Sequence, residues 1–168
     1  MALATLNDVF ADQIEDLYSA ETQLVDALPK VAAAAHDEKL REAIENHLEQ
    51  TRGHVERLSA IKAELGIDAA QRCKGMAGLL AEGDETVNES GAGPAKDAAI
   101  IAAAQRVEHY EIAAYGTART LAAELGYEDV KDLLNETLSE ESAADELLTK
   151  IATGGLFRSG VNADAMAG

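Results

Sequence analysis

The run Arg106-Val107-Glu108-His109-Tyr110-Glu111-Ile112-Ala113-Ala114-Tyr115 decides how this chain of 168 residues reads. It lies within a longer stretch, Asp97 to Glu124, whose apolar residues recur three and four positions apart, the spacing of one face of a helix. Ile101, Ala104, Glu108, Glu111, Tyr115 and Ala118 share one stripe, and that stripe should face other helices. Two carboxylates stand in its middle, one turn apart. An ionised carboxylate taken out of water is expensive unless a cation, a proton or a metal accompanies it. The stretch therefore predicts both a helical core and something charged held inside it.

Composition agrees with helices. Hydrophobic residues make up 47% of the chain and aromatics only 4%, with no Trp and two Pro. A core of Ala, Leu, Val and Ile suits closely packed helices better than a sheet sandwich. The formal net charge of -17 repels nucleic acid and anionic membrane and attracts cations, although most of the acids need only face water. The single Cys73 excludes an intramolecular disulfide and a cysteine-based zinc or iron–sulfur site. The N-terminal residues lack a basic segment followed by an apolar run, and no stretch of about 18 residues is apolar. The expectation is a cytoplasmic protein that neither spans a membrane nor binds nucleic acid.

Taken in order, the first helix should start at Thr5, a good cap with Asp8 three residues on. Its stripe runs Leu6, Phe10, Ile14, Leu17, Glu21, Leu24, Leu28 and Val31, interrupted by Glu21 with Tyr18 one turn before. Pro29 should bend or restart it. Asp37 can cap a second helix from Glu38 to about Leu65, ended by Gly66. Its stripe includes Leu40, Ile44, His47, Thr51, His54 and Leu58, and the short connection makes the two helices an antiparallel hairpin. A weakly patterned stretch, with a short helix around Met76, Leu79, Leu80 and Val87, suits a crossover along the bundle. Pro94 opens the third long helix and Gly126 ends it. A fourth follows through Val130, Leu134, Thr137, Glu141, Ala144, Leu148 and Ile151 to Gly154-Gly155. The prediction is an all-α four-helix bundle over residues 1–153, with one long crossover of the ferritin-like kind between helices two and three and a flexible tail over 154–168.

The two hairpins echo each other: 33 positions separate Glu21 from His54, and 33 separate Glu108 from Glu141. Equal spacing can bring these side chains to one level of the bundle. Glu21, His54, Glu108, Glu111 and Glu141 would then make a carboxylate-rich set with one imidazole, which suits iron, manganese or zinc. A di-iron bundle of the usual kind carries Glu-x-x-His on two helices. Here Arg57 stands three after His54 and Ala144 three after Glu141, and the third helix offers Glu108-x-x-Glu111 instead. Tyr18, His47, Glu49, Tyr115 and Glu140 lie beside these positions, placed either to hold the ligands by hydrogen bonds or to pack and be solvated. The alternative to a metal is a polar layer in which the acids pair with Arg52, Arg57, Arg106 and Arg119.

His47-Leu48-Glu49-Gln50-Thr51, Arg106 through Thr117 and Glu136-Thr137-Leu138-Ser139-Glu140-Glu141 resemble the YciE/YciF family of ferritin-like proteins. Asp16-Leu17-Tyr18-Ser19-Ala20-Glu21 and Ala27-Leu28-Pro29-Lys30 extend the resemblance, which covers residues 5 to 152. It implies a ferritin-like bundle, commonly a homodimer, associated with bacterial stress responses and carrying a metal site. More distantly, Glu108-x-x-Glu111 resembles the third-helix motif of rubrerythrins, and Glu21 and Glu141 fall where that group has ligands. His54 falls where a ligating Glu is expected, and Arg57 and Ala144 occupy the usual His positions. The Cys-x-x-Cys pairs that rubrerythrins use for electron transfer are absent, so redox turnover implies an external electron donor. Two functional expectations follow: a carboxylate-rich metal protein that oxidises ferrous iron or consumes peroxide, or a metal-free structural or interaction dimer.

Overall fold

Thr5 starts the first helix as its sequence requires. Its Oγ1 accepts the Asp8 backbone N–H at 3.2 Å, and the Asp8 carboxylate accepts the Thr5 N–H at 2.8 Å, a reciprocal cap. The computed structural model describes residues 3–68, 71–155 and 158–167; residues 1–2 of the expected bundle, 69–70 of the crossover and 156–157 and 168 of the expected tail lie outside the described residues. Helix α1 spans Leu6–Ala34 and does not restart at Pro29. The ring removes one backbone donor, but Leu24, Leu28 and Ala32 stay on one buried face across it, so packing carries the helix through.

Helix α2, Glu38–Leu65, opens on Asp37, whose carboxylate accepts the Leu40 N–H at 3.0 Å. Gly66 closes it in the left-handed conformation at φ +64°, and Gly126 closes the third long helix likewise at φ +77°. The crossover carries α3, Lys74–Asn88, ahead of α4, Pro94–Leu125, and α5, Glu128–Thr153. The tight α1–α2 turn is held from a distance. Buried Asp97 of α4 accepts the N–H groups of His36 at 2.7 Å and Asp37 at 2.8 Å, and Arg41 donates to the Ala35 carbonyl at 2.9 Å.

These contacts give the directions of the helices. The start of α4 lies at the start of α2, while Tyr127, after the end of α4, donates to Asn7 at the start of α1 over 3.0 Å. Helix α4 therefore runs parallel to α2 and antiparallel to α1. Helix α3 runs beside α1 in the same direction: Gln71 bonds Asp12, Cys73 bonds Ser19 and Lys30 pairs with Asp84. Around the bundle the order is α1, α2, α5, α4, with α3 lying against α1 and α4. This is the ferritin-like four-helix bundle with a long crossover. Among the described residues no helix is long and apolar enough to cross a membrane.

The apolar core is divided. One part gathers Phe10, Ile14, Leu17, Leu58, Ile61 and Leu134; the other gathers Leu24, Leu28, Leu40, Ile44, Ile101 and Leu148. Between them lies a polar level. The segment expected to be a loose tail folds onto the bundle: β1 (Gly154–Gly155) pairs antiparallel with β2 (Arg158–Ser159), and α6 (Val161–Met166) packs on α4 and α5. Gly154 at φ +76° turns the chain back, and Val161, 4% exposed, anchors the segment in the second part of the core.

Candidate metal centre

Every long helix sends an acid or an imidazole into the polar level. Helix α1 supplies Glu21; α2 supplies His47 and His54, two turns apart; α4 supplies Glu108 and Glu111, one turn apart; α5 supplies Glu141. All six are buried; Glu21, His54, Glu111 and Glu141 are 0% exposed. They sit on the same stripes as the leucines and isoleucines above and below, so the helical repeat that buries the core buries them too.

The ligand atoms form two sets that share Glu141. His47, Glu108, Glu111 and Glu141 each bring one atom within 4.8 Å of the others, and so do Glu21, His54 and Glu141. In the first set, His47 Nε2 lies 3.4 Å from Glu108 Oε1 and 3.7 Å from Glu141 Oε2. In the second, His54 Nδ1 lies 2.9 Å from Glu141 Oε1 and 3.3 Å from Glu21 Oε1. Neither approach of His54 Nδ1 has the direction of a hydrogen bond. The outer face of the second set is firmly held. His54 Nε2 meets Glu140 Oε2 at 2.9 Å, Arg57 donates to the same oxygen at 2.5 Å and to Thr137 Oγ1 at 3.1 Å, and Tyr115 donates to Glu21 Oε1 at 2.5 Å.

Electrostatics separate the members. Burial pushes Glu111 well above the usual carboxylate range, and the charges of Glu21, Glu141 and Glu108 add to it. Burial and Glu141 do the same to Glu108. Burial also raises Glu21, against the opposing pull of His54. Glu141 goes the other way: burial alone would raise it, but His54 and His47 beside it bring it below the usual range. Burial alone would lower His54, yet the carboxylates of Glu141 and Glu21 hold it up to about 10. Burial lowers His47, so its imidazole is neutral and ready to be a ligand.

Of the ten buried side-chain nitrogen and oxygen atoms without a hydrogen-bond partner among the described residues, nine belong to Glu21, His47, His54, Glu108, Glu111 and Glu141. Native proteins partner nearly all such atoms. A hard, oxygen-rich donor set with two imidazoles, orphaned in this way, fits a divalent metal ion.

All five sequence-predicted ligands, Glu21, His54, Glu108, Glu111 and Glu141, meet at this level. Of the supporting residues, Tyr115 and Glu140 touch the cluster directly. Tyr18 does not; its ring lies under Lys62, with Nζ 5.2 Å from the centroid. Glu49 is exposed and pairs with Arg52 on the surface. The arginine layer is confined to the rim: Arg57 reaches Glu136 and Glu140, and among the described residues no arginine forms an ion pair with Glu21, Glu108, Glu111 or Glu141. His47, expected only as a support, brings its ring into the first ligand set. Its separation of seven residues from His54, two turns on one stripe, carried that signal. Sequence reasoning also missed a chain of contacts beside Glu111. Tyr110 donates to Asp16 over 2.5 Å, and Cys73 Sγ lies 3.0 Å from the Tyr110 hydroxyl. No local pattern announces it.

Comparison with known proteins places the chain among relatives. The family model described as a domain of unknown function (DUF892) matches residues 5–165. The protein YciF of Escherichia coli K12 is 46% identical over 154 residues, covering 90% of this chain and 93% of the relative. The crystal structure of that E. coli stress protein superposes with a TM-score of 0.84 over 88% of this chain and 94% of its own. YcfI of Rhodopseudomonas palustris gives 0.85 at 40% identity, over 89% of this chain and 96% of that one. A Xanthomonas campestris protein at 18% identity shares the fold alone, with a TM-score of 0.72 over 97% of this chain and 95% of its own.

Proposed function

The chain belongs to the DUF892 family, and on that footing we propose that it is a ferritin-like stress protein that holds divalent metal, iron first and manganese or zinc as alternatives, between its four long helices. The orphaned buried donors of Glu21, His47, His54, Glu108, Glu111 and Glu141 carry this reading. The stress role extends to this chain the description of the E. coli relative. In the proposal His47, Glu108 and Glu111 hold one ion, Glu21 and His54 hold a second, and Glu141 serves both. Bound ferrous or manganous ions supply Lewis acidity and one-electron chemistry toward oxygen or peroxide.

The remaining parts are the chain's own. Tyr115 orients Glu21 by its hydroxyl, and Glu140, backed by Arg57, holds His54 by Nε2 so that Nδ1 faces Glu21 and Glu141. His54 must give up its proton to become a ligand, so metal and proton compete there and affinity rises with pH. Leucine and isoleucine layers lie on both sides of the site. Turnover calls on an external electron donor, since the chain has a single cysteine and no Cys-x-x-Cys pair. The working unit in this reading is a homodimer.

Elemental analysis of protein purified without chelator tests it, with Glu108→Ala and Glu141→Ala alongside. One to two metal ions per chain are expected in the native protein, with loss in both variants; stoichiometry unchanged in both would overturn the reading. A second reading, a metal-free structural dimer, draws on His54 alone. An imidazolium that keeps its proton up to about 10 balances part of the charge of Glu21 and Glu141. It requires that chelator leave the melting temperature unmoved, whereas a bound metal raises it by mass action.

A further inference from the structure

A cavity of about 150 Å³ opens among α1, α2, α4 and α5 on one side of the carboxylate–histidine level. Exposed Asn46 and Gln50 stand at its rim, with half-exposed Leu147. Leu28, Val31, Ile44 and Leu148 wall it, and its floor holds His47 and Glu108. Both floor residues are more than nine-tenths buried, and His47 Nδ1, His47 Nε2 and Glu108 Oε2 have no hydrogen-bond partner. The space exists because Ala104 and Ala144 line it where leucine-sized side chains would fill it.

We propose that this cavity binds a small apolar molecule of about six carbons carrying one hydroxyl-type head group. The body lies against Leu28, Val31, Ile44 and Leu148, and the head reaches His47 and Glu108. Size sets the body: about 150 Å³ is the volume at which an apolar cavity accepts benzene. The floor sets the head. No Lys or Arg lines the cavity to hold an anion. An ammonium would lose its hydration against apolar walls, whereas a hydroxyl both donates to the carboxyl oxygen and accepts from an imidazole N–H. The head group would meet His47 and Glu108, which the proposed metal centre also uses, but neither the cavity nor the unpartnered atoms at its floor depend on a bound metal.

Phenol and benzene, titrated into chelator-treated and zinc-loaded protein, test this through the methyl resonances of Leu28, Val31, Ile44 and Leu148. Phenol is expected to shift them saturably in both forms and to bind about tenfold tighter than benzene. Ala104→Leu and Ala144→Leu should each abolish the shifts while zinc content and helicity are unchanged. Unsaturable shifts, equal affinity for the two probes, or undiminished binding in a folded variant would overturn the proposal. Methyl shifts that follow protein concentration without probe would also overturn it, by assigning the groove to a second copy of the chain. Should neither variant fold, xenon applied to crystals of the native protein decides: a peak at this cavity supports the proposal and none overturns it. Zinc binding without phenol binding would sink this inference alone; phenol binding without zinc binding would sink only the metal centre.

Discussion

Replacing Glu111 with methionine should stabilise the metal-free protein and abolish its response to metal. Glu111 is 0% exposed, and both carboxyl oxygens are buried without a partner. Leaving a buried polar group unsatisfied costs about 1–3 kcal/mol. Methionine keeps the length and packing without that group, so Glu111→Met should gain about 2 kcal/mol in chelator. For a chain of this size that is a rise of roughly 4–8 °C in melting temperature. The gain depends on pH, and its sign follows from the raised carboxyl. The native state still binds a proton at Glu111 where the unfolded chain, with its carboxyl near 4.5, has lost it. Stability from this group is full below that pH and is lost as the pH rises through the native value, with Glu108 acting in the same direction. Metal-free native protein should therefore weaken over the range above about pH 4.5, and the advantage of Glu111→Met should grow over that range. Metal reverses the order. At one hundred times its dissociation constant a ligand adds about 2.7 kcal/mol to the native protein; the variant, lacking a ligand, should not gain it. Scanning calorimetry across this pH range, with chelator and with added zinc, measures all of this. A variant that melts lower than the native protein in chelator would refute the claim that Glu111 is unsatisfied. A variant that keeps the full zinc-dependent rise would refute its role at the site.

Three further substitutions test the frame around the site. Tyr115→Phe removes the hydroxyl that donates to Glu21, leaving that carboxylate with only the His54 imidazole beside it; urea denaturation of metal-free protein should show a loss of about 1–3 kcal/mol. Asp97→Ala strips two backbone donors of the α1–α2 turn of their buried acceptor and should cost about 3 kcal/mol by thermal unfolding, with no change in metal stoichiometry. Gly75→Ala would set a Cβ 2.8 Å from Tyr110 Cε2 and push that ring away from Asp16 and Cys73. It should cost about 1–3 kcal/mol and alter the near-ultraviolet circular dichroism of the tyrosines.

Much of the site was legible because helices repeat. Glu21, His54, Glu108, Glu111 and Glu141 occupy core positions of their stripes, and equal separations in the two hairpins put them at one level. The same reasoning gave less weight to His47. A stripe tells which residues face inward, but not how far each side chain reaches or which atoms converge. Glu49 and Tyr18 stand close to the stripes in sequence yet turn elsewhere, to Arg52 and to Lys62. Asp97 lies in the first turn of α4. Its partners are the N–H groups of His36 and Asp37, about 60 residues earlier, which no local pattern connects.

The chain alone determined the all-α class, the helix ends at Thr5, Asp37, Gly66, Pro94 and Gly126, and the long crossover. Each follows from interactions among residues a few positions apart. Only the tertiary structure decided that His47 joins Glu108, Glu111 and Glu141, that among the described residues no arginine forms an ion pair with those acids, and that Val161–Met166 pack back onto α4. Those outcomes depend on helix crossings and through-space distances, and a one-residue rotation of any helix would move an atom by more than a ligand bond is long.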